Sequence, residues 1–326
     1  MIKIRNVGTS HGDCFFIEIK NDINKIIIMV DGRKGDRRSF DEIKNVILEY
    51  GSINYLIVTH IDNDHINGIL KIYNLPRTDP VRQAFSDTTI LYNYVTKPVI
   101  SYTQAQEFEK LIKDNAVVST IKEYYYKYSS PCLKILSAER RKRLDPREQE
   151  DFKNYAVLTF LNPRKEGVEQ VYKDYMKHPN ASTANIVNKN SIVFMLEYGE
   201  HIALFTGDCY LQNITDEIDQ LKNMQGKGVG EYRKIDMIKM PHHGSEENNE
   251  GLAEFARNHK TREFFLTSKE KWEKNLPSKK ILMELNAIAD DKNQIVIHTH
   301  TDLSDLGELK HIKISENDVI VWGDEK

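Results

Sequence analysis

Cysteine is scarce in this chain: three among 326 residues. Cys14, Cys132 and Cys209 are too few and too widely spaced for a disulfide framework or a CxxC metal clasp. That excludes the small disulfide-stapled folds and points to a reducing cytoplasm. Long apolar runs are missing too. No stretch approaches the roughly 20 residues that span a bilayer, and the opening Ile2-Lys3-Ile4-Arg5 lacks the continuous apolar run of a secretory leader. A soluble protein without membrane contact is expected. Nor does one sign of charge dominate, since 46 Lys and Arg face 49 Asp and Glu for a formal net charge of -3. No basic field covers the molecule, so any nucleic-acid contact must be local. There is no fixed-period repeat and no low-complexity segment.

With 40% hydrophobic residues the chain can bury a substantial core. Short apolar runs predict strands over 2–7, 14–19, 26–30, 55–59 and 89–94, with a helix over 39–50 and a shorter one over 66–73. The stretch 101–155 is expected to be a helical, charged insertion or cap. It carries the run Tyr124-Tyr125-Tyr126 and the basic residues Arg140, Arg141, Lys142, Arg143 and Arg147. Beyond it strands are expected over 156–160, 191–198, 201–206, 235–240, 263–267, 294–298 and 318–322, with helices over 212–224, 251–258 and 278–287. Two strand-rich halves with flanking helices predict an α/β fold of sheets packed face to face, helices outside, in one domain over 1–326.

Three clusters carry chemistry. His60-Ile61-Asp62-Asn63-Asp64-His65 places four potential metal ligands directly after a strand. Imidazole nitrogen with carboxylate oxygen suits zinc, manganese or iron better than calcium, which prefers all-oxygen cages. Alternation along an extended segment would put His60, Asp62 and Asp64 on one side, and a turn into the next helix would bring in His65. Thr206-Gly207-Asp208 ends a second apolar strand and, taken alone, is an ordinary turn. Pro241-His242-His243-Gly244-Ser245 ends a third. Adjacent histidines on a strand face opposite ways, so one is expected to be a ligand and the other a neighbour or proton donor.

The order His-x-Asp-x-Asp-His, then Thr-Gly-Asp, then Pro-His-His-Gly-Ser resembles the metallo-β-lactamase superfamily. With Val7-Gly8-Thr9-Ser10-His11-Gly12-Asp13-Cys14 and Val30-Asp31-Gly32 it is similar to the ComEC-like branch, which is linked to DNA processing. The resemblance implies a four-layer αββα sandwich and two divalent ions, zinc or manganese. It implies that His60 and Asp62 hold one ion, that Asp64, His65 and His243 hold the other, and that Asp208 bridges them. Asp13 and Asp31 would support these ligands. Two departures stand out. Asp62 replaces a commoner histidine, which favours harder metals. The family's usual further histidine is absent from Asn185-Ile186-Val187-Asn188-Lys189-Asn190-Ser191, where asparagine or water would complete the site.

The expected activity is metal-dependent hydrolysis by a metal-bound hydroxide that Asp64 orients, with His242 or Ser245 serving the leaving group or an oxyanion. The leading substrate class is the phosphodiester of a nucleic acid or nucleotide, with Arg140, Arg141 and Arg143 as candidate phosphate contacts. The bland reading of that basic cluster is a solvated helix face, because Asp145, Glu148, Glu150 and Asp151 follow closely. Alternatives are a hydrolase of small esters, lactones or thioesters with the insertion as a lid, and a metal-stabilised subunit whose insertion docks a protein partner.

Overall fold

Alternation over Ile2–Asn6 buries Ile2 and Ile4 and leaves Lys3 and Arg5 half-buried, the signature of a strand with one covered face. Lys25–Val30, by contrast, is apolar at nearly every position and buried throughout after its first residue, as a strand covered on both faces must be. In this computed structural model the described residues are 1–93, 103–113, 117–119, 127–130, 132–145, 147–148, 154–177, 184–223, 234–269, 271, 275–307 and 309–323. They form two compact units, the first from Met1–Glu123, Pro163–Ile192 and Val319–Lys326, the second from Tyr124–Asn162 and Val193–Asp318.

The first unit holds a seven-stranded sheet. Its strands are β1 (Ile2–Asn6), β2 (Phe15–Lys20), β3 (Lys25–Val30), β4 (Tyr55–Ile57), β5 (Thr89–Tyr92), β6 (Val117–Ser119) and, from the end of the chain, β16 (Val319–Trp322). The order is β16-β1-β2-β3-β4-β5-β6, antiparallel from β16 to β3 and parallel from β3 to β6. Helix α1 (Arg37–Tyr50) follows β3 and buries Ile43, Val46, Ile47 and Tyr50, a spacing of three and four residues that marks one helical face. Helix α2 (Asn63–Tyr73) follows β4 and buries Ile66, Ile69, Leu70 and Ile72. Helix Lys165–Lys177, which the charge-rich sequence did not announce, contributes Val168 and Val171 to the same core.

The second unit holds a nine-stranded sheet. Its strands are β7 (Lys127–Ser130), β8 (Leu133–Ser137), β9 (Ala156–Asn162), β10 (Val193–Tyr198), β11 (His201–Phe205), β12 (Met237–Lys239), β13 (Glu263–Phe265), β14 (Ile295–His298) and β15 (Ile312–Ser315). They run in the order β15-β14-β13-β12-β11-β10-β9-β8-β7. Those from β11 to β15 are parallel, and helices Leu211–Asn223, Leu252–Asn258 and Lys279–Ile288 pack an apolar face on this sheet through residues such as Ile214, Phe255 and Leu282. Each unit is therefore a sheet with helices, which is the α/β class expected.

The stretch 101–155 departs from uniform helix. Helix Thr103–Lys113 and the short helix Ala138–Lys142 are there, but β6 extends the first sheet while β7 and β8 belong to the second. Leu133–Ser137 is buried at every position, so its polar Lys134 and Ser137 masked a strand covered on both faces. The run Tyr124-Tyr125-Tyr126, Glu150 and Asp151 lie outside the described residues. Strand β15 also escaped the sequence reading, being a four-residue edge strand with Ile314 exposed. Among the described residues no helix is long and apolar enough to cross a membrane.

Candidate metal centre

In the first unit the chemistry gathers where parallel strands β3 and β4 end. The chain leaves β3 through Asp31, held at φ 56°, and the carboxylate turns back under the end of β4. There it accepts three hydrogen bonds: Thr59 N–H to Oδ1 at 2.8 Å, Thr59 Oγ1–H to Oδ2 at 2.6 Å, and His65 Nδ1–H to Oδ2 at 2.8 Å. Both His60 and His65 are fully buried, with ring centroids 4.1 Å apart.

The network assigns the tautomers. Carboxylate oxygens only accept, so His65 carries its proton on Nδ1 and the neutral ring has its lone pair on Nε2. The single hydroxyl proton of Thr59 goes to Asp31, so the oxygen of Thr59 accepts from His60 Nδ1, 3.1 Å away. His60 therefore also has its lone pair on Nε2.

The extended run expected through Asp64 stops at Asp62. Asp62 Oδ1 accepts the Asn63 N–H at 2.7 Å and caps α2, which commits one of its oxygens to the helix start. Asp64 falls in the first helical turn, where the N-terminal dipole favours an ionised carboxylate. Its Oδ2 lies 3.0 Å from Nε2 of His11. His11 sits in the quoted Ser-His-Gly-Asp segment but was not singled out; a histidine directly before Gly12-Asp13, on a loop entering β2, was the available signal. Asp13 is buried, and its carboxylate, that of Asp31 and the His65 ring offer ligand atoms within 4.8 Å of one another.

In the second unit chemistry-bearing residues gather at the ends of β11 and β12. Gly207 at φ 52° turns the chain after β11 and buries Asp208. After β12, His242 and His243 take left-handed backbone angles, φ 42° and 52°, in a single tight turn. Such angles cost non-glycine residues of order 1–3 kcal/mol each and persist where surrounding structure imposes them. Here they overturn the expectation that the two rings face opposite ways: each Nε2 stands 3.7 Å from Asp208 Oδ2. His242 donates Nδ1–H to Asn248 Oδ1 at 3.1 Å, and His243 Nδ1 meets Thr267 Oγ1 at 3.0 Å. Ser245 gives its hydroxyl to the same Asn248 oxygen at 2.7 Å, so it steadies the partner of His242.

Lys239 went unnoticed in an apolar strand. Fully buried, it donates from Nζ to the Gly207 carbonyl at 2.7 Å and lies 3.4 Å from Asp208 Oδ1, compensating that buried carboxylate. Cys209, next to Asp208 in the chain, is a small buried side chain. Burial drives the Cys14 thiol far above its ordinary range, against a partial pull from Arg33, which removes it as a nucleophile.

The residues present fit a divalent ion. In each unit buried imidazoles lie beside carboxylates, and the rings of His60, His65 and His242 have their lone pair on Nε2 because Nδ1 is engaged, which is how a protein prepares a histidine ligand. In the stretch 185–191, by contrast, Asn190 spends its amide on the Ile186 carbonyl at 2.8 Å. Two of the three candidate phosphate contacts, Arg140 and Arg141, are paired with glutamates. Arg140 pairs with Glu148 at 2.5 Å and Arg141 with Glu197 at 3.3 Å, Lys142 pairs with Glu217 at 2.8 Å, and Arg143 is an exposed residue at the helix end.

No protein-family description and no curated protein matches the chain. Among solved structures it is similar to the metallo-β-lactamase fold protein YhfI from Bacillus subtilis, at 12% identity and TM-score 0.49 over 92% of this chain and 98% of that one. A long form RNase Z from yeast aligns at 10% identity and TM-score 0.40, over 98% of this chain and 41% of that one. A metallo-β-lactamase from Cronobacter sakazakii, a HARLDQ motif mutant, aligns at 12% identity and TM-score 0.34, over 87% and 91%.

Proposed function

We propose that the chain is a metal-dependent hydrolase of the metallo-β-lactamase type that cleaves phosphodiester bonds. One observation carries the metal half of this reading. His60 and His65, buried side by side, are both set by Asp31 to hold their lone pair on Nε2. The ligands proposed are His60, Asp62, Asp64, His65, Asp208 and His243, for two ions, zinc or manganese; their grouping follows the order of the three motifs. When bound, such ions would polarise a phosphoryl oxygen and make a water acidic enough to ionise near neutral pH.

The chain's own residues have separate tasks in this proposal. Asp31 and Thr59 orient two imidazoles, and Asp64 orients the attacking water. His242, with its lone pair on Nε2, takes up a proton there and passes it to the leaving group while Asn248 fixes its ring through Nδ1. The phosphodiester half rests on the ComEC-like motifs. A second reading, hydrolysis of a small ester, lactone or thioester, is supported by the pairing of Arg140, Arg141 and Lys142 with glutamates, which leaves less uncompensated positive charge there for a polymer.

The test is to purify the chain without chelator, count bound metals by mass spectrometry, and assay bis-p-nitrophenyl phosphate and single-stranded DNA with zinc or manganese. Two metals per chain, with cleavage abolished in Asp64→Ala, are expected. Metal without phosphodiester cleavage would shift the reading to small esters, and absence of metal from the purified and reconstituted protein would end it.

A further inference from the structure

Between β1 and β2 the chain makes a loop whose construction exceeds what a simple reversal needs. Val7 N–H donates to the Cys14 carbonyl at 2.8 Å and closes the loop at its base. Within it runs Arg33, a fully buried guanidinium that donates to the Ser10 carbonyl and, at 2.8 Å, to Asn6 Oδ1. Arg33 N–H also donates to the Asp13 carbonyl at 2.8 Å. Ser10 is held again by Ser39, whose Oγ meets Ser10 N at 3.2 Å and Ser10 Oγ at 2.9 Å. Gly12 sits at φ 116°, and a Cβ there would stand 2.0 Å from the Asp64 carbonyl oxygen, so the loop lies directly on the first turn of α2.

These constraints fix one side chain that no motif role had claimed. His11, between Ser10 and Gly12, is held with Nε2 at 3.0 Å from Asp64 Oδ2. Both side chains keep some exposure, 19% and 18%. Two ligand atoms each about 2.1 Å from one ion, at angles between octahedral and tetrahedral, stand about 3.0–3.4 Å apart. Resting on the metal-site reading above, we propose that His11 is a further metal ligand, supplying an imidazole beside Asp64. The loop is then a ligand-bearing element of the centre, and Arg33 is the residue that positions it.

A purely structural histidine–carboxylate pair makes a different forecast, and His11→Gln separates the two. The glutamine amide can place an N–H donor near Nε2 and keep the hydrogen bond to Asp64, but it is a poor ligand for zinc or cobalt. Full-length wild type, His11→Gln and His11→Ala are purified without chelator. Metal content is measured by mass spectrometry, zinc affinity by competition with a chromophoric chelator, and the visible spectrum after cobalt(II) substitution.

The expected result is that both variants keep the wild-type melting profile of the metal-free protein. Each loses one metal per chain, or binds it at least tenfold more weakly, and shows an altered cobalt spectrum that added imidazole partly restores in His11→Ala. Wild-type stoichiometry, affinity and cobalt spectrum in His11→Gln would overturn the ligand role while leaving the metal-centre reading intact. A wild type that binds no metal would overturn both.

Discussion

The carboxylate of Asp31 reaches the ring of His60 through a single hydroxyl, that of Thr59, while the same oxygen holds the ring of His65 directly. One buried acceptor thus decides where the proton sits on two histidines. Neither imidazole can turn its lone pair the wrong way without leaving a buried polar group of this network unpaired, at a cost of about 1–3 kcal/mol.

Asp31→Asn should preserve the backbone, because asparagine tolerates the left-handed angle that Asp31 adopts. It replaces an acceptor-only group by one that also donates, and metal affinity should fall about 10–100-fold. Thr59→Val removes the hydroxyl that joins Asp31 to His60 but leaves the bonds of Asp31 to Thr59 N–H and His65, and should give a smaller loss, whereas Thr59→Ser should restore affinity. Chelator competition on the folded variants measures all three. Equal affinities in wild type and Thr59→Val would disprove the relay.

Much of this was legible in the sequence, for identifiable reasons. Short apolar runs ending in chemistry-bearing residues placed β4, β11 and β12 correctly, because buried strand segments must be apolar and their C-terminal ends are where loops with His60, Asp208 and His242 begin. What stayed hidden depended on three-dimensional pairing. Lys239 and Lys134 are charged residues inside buried strands, tolerated through partners that the one-dimensional pattern does not reveal. The inward turn of both His242 and His243 depends on left-handed angles that nothing short of the folded turn specifies. His11 gained its meaning from a loop clamped by Arg33, a residue twenty-two positions away.

The position of His65 over Asp31 depends on how closely α2 approaches the loop after β3. Gly32 N–H donates to the His65 carbonyl at 2.6 Å and Gly68 N–H to the Arg33 carbonyl at 3.1 Å, so two backbones are in direct contact. A Cβ at Gly68 would lie 1.9 Å from the Gly32 carbonyl oxygen. In an ordinary helix Gly→Ala stabilises by about 1 kcal/mol. Gly68→Ala should reverse that sign and lower both the melting temperature and the metal content, because α2 must move away. A thermal melt showing stabilisation would refute the close approach.

Asp36 caps α1, accepting the Ser39 N–H at 3.1 Å. Partial burial works to raise its carboxyl pKa, but hydrogen bonds from Ser10 and Ser39 outweigh it and hold the group below its ordinary value. A depressed folded pKa contributes stability that is present above the unfolded value, about 3.9, and is lost as pH falls through the folded one. Asp36→Ala should cost about 0.5–2 kcal/mol at neutral pH. That difference from wild type should shrink as the pH drops below about 4. Denaturant melts at pH 7 and pH 3 test it, and an unchanged difference would mean that the carboxylate charge contributes nothing.

Arg141 separates a structural role from a substrate-binding one. Its guanidinium lies 3.3 Å from Glu197 Oε1, and the two side chains are only 10% and 5% exposed. Removing one partner of a buried pair strands the other charge, at about 3–5 kcal/mol, whereas replacing both by apolar residues of similar volume is often neutral. Arg141→Ala should therefore be strongly destabilising, and the double variant Arg141→Met/Glu197→Leu should recover most of that loss. Neither should change the salt dependence of single-stranded DNA binding or of phosphodiester cleavage per folded molecule. A phosphate contact makes the opposite forecast: Arg141→Ala would keep its melting temperature, bind DNA more weakly, and show a binding constant less sensitive to salt by about 0.7 of a logarithmic unit per decade.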